Sequence, residues 1–159
     1  MPAVAAELVK GRQVLELGCG TGVLGITLAC LGAQVTLTDT ADILPHVKRN
    51  ILCNEQLIQS GKGAAAGTVL DWREAGAQPI MNRLYDVIIG ADLLYSAKNV
   101  TPLADVLAEL RQHSTDCTLI LAHQNRCQDV TDQFLKQLDH NGFSLKATQV
   151  HGAVSIYTT

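Results

Sequence analysis

The chain is poor in aromatic side chains, which make up 4% of its 159 residues, and Trp72 is its single tryptophan. It also lacks a strong charge of either sign. Its 12 lysines and arginines stand against 15 aspartates and glutamates, a formal net charge of −3. That balance does not favour a general nucleic-acid-binding surface. Its cysteines, Cys19, Cys30, Cys53, Cys117 and Cys127, are odd in number, far apart and never spaced C-x-x-C. They suggest neither zinc nor a redox dithiol, so no metal is expected. No apolar run is long enough to cross a bilayer, and the start of the chain lacks the charged-then-apolar profile of a signal peptide. A cytoplasmic location follows as the expectation, with the nucleus as the alternative, and with no membrane or nucleic-acid partner.

What is present is a 47% apolar composition, enough for one domain over residues 1–159 with a substantial core. The most informative stretch is Val14-Leu15-Glu16-Leu17-Gly18-Cys19-Gly20-Thr21-Gly22. A strand-forming run carries an acid, three glycines follow at alternate positions, and a helical pattern begins at Val23, the first half of a βαβ unit. Alternating glycines let a backbone turn sharply and approach a ligand closely. A dinucleotide loop, G-x-G-x-x-G, would need glycine where Val23 stands. Glu16 would also bring a carboxylate towards the pyrophosphate. A cationic ligand without phosphate fits better, and S-adenosylmethionine (SAM) is such a ligand. The alternative is a glycine-rich turn made for packing alone.

Further along, an alanine-rich helical segment over Met1–Lys10 precedes the first strand, Gln13–Leu17. The helix from Val23 to Leu31 is apolar almost all round, as befits packing on a sheet. The second strand, Gln34–Thr38, delivers Asp39, placed to accept hydrogen bonds from ribose hydroxyls or to cap the next helix. That helix, Ile43–Leu57, turns Ile43, Val47, Ile51 and Leu57 inward. A third strand near Ala65–Val69 leads to Leu70-Asp71-Trp72, where the indole could stack on an adenine and Asp71 meet its amine, or the ring could fill core. Tyr85–Ala91 reads as a central strand delivering Asp92-Leu93-Leu94-Tyr95. A helix from Thr101, with Thr101 as its cap and Pro102 in its first turn, a strand over Thr118–Ala122 and a helix over Asp129–Asn141 follow. Phe143–Val150 and Ala153–Thr158 close the chain as a hairpin turning near His151-Gly152.

The combination of E-L-G-x-G-T-G, Thr38-Asp39, Leu70-Asp71-Trp72 and Gly-Ala-Asp-x-x-Tyr resembles one family. It is the methyltransferase-like 21 group of seven-strand, SAM-dependent protein methyltransferases. The resemblance runs to Val154-Ser155-Ile156-Tyr157 and implies a Rossmann-like α/β sheet in order 3-2-1-4-5-7-6, strand seven antiparallel, with helices on both faces. It implies SAM contacts at Glu16, Gly18, Cys19, Gly20, Asp39, Trp72 and Ala91, beside the Asp71 contact read from the strand end, and an acceptor site at Asp92 and Tyr95. Family members carry a further N-terminal segment ending in Trp-Pro-Ala. Here Pro2-Ala3 follow Met1, so the chain resembles a member without its front end.

The function implied is methyl transfer from SAM to a lysine of a partner protein, by a monomer. Such a reaction asks the enzyme to position two reactants and exclude water. The lysine must first lose a proton, and near pH 7.4 only about one amine in a thousand has done so, a handicap of about 4 kcal/mol. Asp92 would orient the amine and Tyr95 line its channel. The alternatives are a methyltransferase of the same fold acting on a small molecule or another side chain, and a truncated domain that binds SAM or a protein without catalysis. An N-P-P-Y-type signature would mark amide or base-nitrogen acceptors, and Gly90-Ala91-Asp92-Leu93-Leu94-Tyr95 argues against that class.

Overall fold

Val14, Leu15 and Leu17 are wholly buried and Glu16 is 3% exposed, so β1 (Gln13–Leu17) shows no inside-outside alternation. A strand covered on both faces reads as a continuous apolar run. The computed structural model describes residues 9–151 and 154–159. Most of the helix expected over Met1–Lys10, and the Gly152 turn of the closing hairpin, lie outside those residues. Seven strands form one sheet in the order β3-β2-β1-β4-β5-β7-β6, the order implied by the family resemblance. The chain clusters into two compact units. The first runs through Asp71 and takes in Tyr85–Ile89, and the second holds Trp72–Leu84 and Gly90–Thr159.

In the first unit, β1 is followed by α1 (Val23–Cys30), β2 (Gln34–Asp39), α2 (Leu44–Cys53), α3 (Glu55–Ser60) and β3 (Ala64–Val69). β1 pairs parallel with β2 from Gln13↔Gln34 to Glu16↔Leu37, and β2 pairs parallel with β3 from Gln34↔Ala64 to Asp39↔Val69. Parallel strands joined by helical crossovers deliver their C-terminal ends to one edge, which is where ligands meet such sheets. The all-apolar α1 does not bury every side: Gly25, Ile26 and Ala29 face inward, while Val23 is 70% exposed.

The single helix expected over Ile43–Leu57 is two. Asn54 breaks it with φ −109° and ψ 6°, ending α2 and opening α3. In this stretch Ile58 is buried and Leu57 is 61% exposed, Ile58 standing about three turns beyond the buried Val47 and Leu57 off that face. Leu57 is therefore not a core residue, and Ile43 and Ile51 are only half-buried. α2 crosses β3 closely at Gly67. A Cβ on Gly67 would stand 2.9 Å from Leu44 Cδ1.

The second unit begins with two short 3-10 helices, Trp72–Ala77 and Pro79–Asn82. It also takes the end of β4 (Val87–Ala91), α4 (Val100–His113), β5 (Thr118–Gln124), α5 (Gln128–His140), β6 (Lys146–His151) and β7 (Val154–Thr158). α4 turns Val100, Leu103, Ala104, Val106, Leu107 and Leu110 inward, an apolar stripe at helical spacing. It starts one residue before Thr101, which is not its cap; that hydroxyl accepts a hydrogen bond from Gln137 Nε2 at 3.2 Å. β7 runs antiparallel to both β5 and β6. Phe143, expected in the penultimate strand, lies before it. Its buried ring sits under the Arg111 guanidinium, 4.7 Å from the ring centre, a contact that a strand leaving the core would forfeit.

Candidate active site

The glycine loop of the first unit is shaped by its own backbone. Gly18, Gly20 and Gly22 take φ values of 58°, 54° and 81°, a region that side chains enter only with strain. The loop is pinned at two points. Cys19 N–H donates to the Thr38 carbonyl at 2.9 Å, and Gly20 N–H donates to Asp39 Oδ2 at 2.8 Å. Asp39 Oδ1 accepts from Thr40 N at 2.8 Å. The following helix opens at Ile43 without a side-chain cap, so Asp39 serves the glycine loop rather than that helix.

Glu16 lies deeper. Its Oε2 accepts the Gly25 N–H in the first turn of α1 at 3.0 Å, and Thr38 Oγ1 donates to its carbonyl at 2.6 Å. Burial pushes its carboxyl up to about 7, against the pull of the Gly25 bond and with a further push from Asp39. The Cys19 thiol is pushed up to about 12 by burial and then by the Glu16 and Asp39 carboxylates, which leaves it an inert small hydrophobe. Glu16, Gly18, Cys19, Gly20 and Asp39 thus form one connected group. Asp71, half-buried, follows Leu70, whose N–H donates to the Asp39 carbonyl at 2.9 Å. The third strand tip is thereby brought beside the second.

In the second unit Trp72 is half-buried at the head of a 3-10 helix rather than at the end of a strand. Ala91 is exposed, and after it Asp92 takes φ 58°, a left-handed conformation outside glycine. Aspartate tolerates this better than most residues, and such outliers gather at functional sites. Asp92 N–H donates to the Ala122 carbonyl at 2.8 Å, which ties it to β5. Tyr95 is 75% exposed, so it does not pack in the core.

Three residues that the sequence reading passed over complete this group. Arg126 Nη1 and Nη2 donate to Asp92 Oδ1 and Oδ2 at 2.5 and 2.8 Å. Gln124 Oε1 accepts a third bond from Nη2 at 3.1 Å. His123 is buried, with Nε2 3.0 Å from Thr131 Oγ1 and Nδ1 without a partner among the described residues. The Arg126 hydrogen bond holds the Asp92 carboxyl below the usual range despite partial desolvation. Burial lowers His123, the Asp92 carboxylate opposing it. A sequence signal for Arg126 existed: it stands just past the end of β5, where a lone arginine can reach an acid at another strand end.

The profile of a family described as lysine methyltransferase matches residues 3–141. The chain is 34% identical over 130 residues to protein N-lysine methyltransferase METTL21A of Danio rerio, covering 82% of this chain and 57% of that one. It is 31% identical over 141 residues to EEF1A lysine methyltransferase 3 of Mus musculus, covering 88% and 57%. The chain therefore spans little more than half the length of these relatives. Among solved structures, a SAM-dependent methyltransferase from Methanosarcina mazei superposes with a TM-score of 0.73 at 14% identity, over 99% of this chain and 95% of that one. Magnesium protoporphyrin IX methyltransferase from Synechocystis, solved with bound SAM, gives 0.65 at 24% identity, over 98% and 74%. At these identities the two structures speak to the fold.

Proposed function

The chain belongs to the lysine methyltransferase family, and from that membership we propose that it is a SAM-dependent N-methyltransferase acting on a lysine side chain of a partner protein. The observation that carries the reading is Asp92: an ionised carboxylate held at a strand tip by a left-handed backbone, in the segment that also exposes Tyr95.

The residues of the first unit fit SAM. A Cβ on Gly20 would meet nothing within 4 Å, so the loop backbone stands open to a ligand. Asp39 spends acceptor capacity on Gly20 and Thr40 yet keeps a lone pair for a ribose hydroxyl. The acids nearby, Glu16 and Asp39, suit a cationic ligand better than a phosphorylated one. Gly18, Cys19, Gly20 and Asp39 would hold the cofactor, with Glu16 shaping the loop beneath and Asp71 as a further contact. When bound, SAM supplies an electrophilic methyl carbon on a sulfonium sulfur.

The rest falls to the acceptor residues. An amine nitrogen attacks only with its lone pair free, so its proton leaves for solvent beforehand. Asp92 accepts a hydrogen bond from the neutral amine and sets its direction, a gain of orientation rather than of basicity. The Tyr95 ring offers a face to the charge that develops on nitrogen. A protein substrate is in keeping with this exposed tip. Net charge −3 speaks against a nucleic-acid surface, and among the described residues no helix is long and apolar enough to cross a membrane. The five cysteines are free thiols, which supports a reducing compartment, cytoplasm or nucleus, and we take the protein to act as a monomer.

Incubation with labelled SAM and a cell lysate, followed by hydrolysis of the labelled protein to amino acids, tests the proposal. Methyl-lysine should carry the label, and Asp92→Ala should lose about a hundredfold in rate while SAM binding by calorimetry persists. Label in another amino acid, or an Asp92→Ala chain as active as the wild type, would overturn it.

A further inference from the structure

The carboxylate on which the acceptor reading rests is not bare. Arg126 grips both of its oxygens, and its Nη2 is tied back to Gln124 at the end of β5. A fork of two parallel N–H donors fixes the plane of a carboxylate as well as its place. It takes one lone pair from each oxygen and leaves one on each for another donor. The Asp92 backbone is pinned to the same strand through Ala122. The acid is thus located twice from β5, once by its amide and once by its side chain.

The charge matters as much as the geometry. An isolated aspartate beside a lysine would stabilise the ammonium, the form that cannot attack. With a guanidinium in contact, the pair carries no net charge and still accepts a hydrogen bond. The other titratable group facing Asp92 is His123 on β5, where burial favours the neutral imidazole. Among the described residues Arg126 is therefore the cation that compensates Asp92. Both side chains are about half exposed, 51% and 47%, so water screens part of the effect.

We propose that Arg126 is a positioning residue for Asp92, which by cancelling its charge lets the acceptor site take lysine as the neutral amine. The proposal rests on the acceptor role assigned to Asp92 above. Neither arginine nor aspartate transfers a proton in it; the lysine proton goes to solvent.

The test compares wild type, Arg126→Gln and Arg126→Lys in two readouts. The first is the plateau rate of label transfer from saturating SAM into increasing amounts of cell lysate, between pH 6.5 and 9.5, with lysate alone subtracted. Arg126→Gln should move the acid limb of that rate up by about one pH unit. Below both limbs it should therefore lose about tenfold, and the loss should narrow as pH rises through them. The lysate concentration giving half the plateau should not rise, and Arg126→Lys should keep the wild-type limb. A loss that is equal at every pH, or a limb that stays in place, would overturn the proposal. The second readout needs no turnover: the Asp92 carboxyl followed by carbon-13 NMR should titrate at higher pH in Arg126→Gln than in wild type. An unchanged midpoint in an active enzyme would overturn the clamp and leave the transferase reading standing. A wild-type chain that labels no lysine would overturn that reading, and lysine selection with it, even if the midpoint moves.

Discussion

Glu16 and Gly25 are fitted to each other: the carboxylate Oε2 accepts the glycine N–H at 3.0 Å, and a Cβ at position 25 would collide with that same oxygen. The acid of the strand thereby holds the first turn of α1, and the helix backbone comes close enough for Leu37 to lie 2.9 Å from the missing Cβ. Gly25→Ala should therefore overpack a buried contact and displace the carboxylate, losing about 1–3 kcal/mol of unfolding free energy. Urea denaturation measures it. A variant as stable as the wild type would mean that α1 can lift from β1 at no cost.

The burial of Glu16 also predicts a pH dependence. Its carboxyl, ordinarily near 4.5, is pushed up to about 7 in the fold, chiefly by desolvation. A folded value above the unfolded one means the fold binds the proton more tightly. Its stabilising share is complete below about 4.5 and is lost as pH rises towards 7. The full span corresponds to about 3 kcal/mol. Glu16→Gln has no such ionisation, so its stability should vary less between pH 4.5 and 7 and should match or exceed wild type at pH 8. Parallel slopes for the two proteins would place the titration elsewhere.

The region around Asn54 shows where the sequence was legible and where it was not. The glycine loop, the parallel strands and the acids at their tips follow from local patterns, because backbone conformation and strand burial are written in neighbouring residues. The break at Asn54 is not so written: Ile43 to Leu57 keeps a helical period, and only packing decides that one helix stops there and another starts. The Arg126–Asp92 pair spans 34 positions, a separation that periodicity does not register. The inward face of the second helix has a direct consequence. Ile58→Ala should cost about 2–5 kcal/mol and Leu57→Ala less than about 0.5, since the first is 4% exposed and the second 61%. Equal costs in a denaturation series would mean that Leu57 packs as deeply as Ile58.

Tyr95 offers the sharpest separation of function from folding. At 75% exposure its side chain buries too little to matter for stability, so Tyr95→Ala and Tyr95→Phe should both unfold within about 0.5 kcal/mol of wild type. Their rates should part. If the ring face steadies charge passing to the acceptor nitrogen, phenylalanine keeps that face and alanine removes it. A cation–π contact at an exposed site is worth about 0.5–1 kcal/mol, so Tyr95→Ala should lose roughly two- to fivefold in methyl transfer while Tyr95→Phe stays near wild type. Rates of transfer from labelled SAM under matched folding decide the matter. A phenylalanine variant as slow as the alanine one would shift the role from the ring to its hydroxyl, and the acceptor site would then hold a second hydrogen-bonding group beside Asp92.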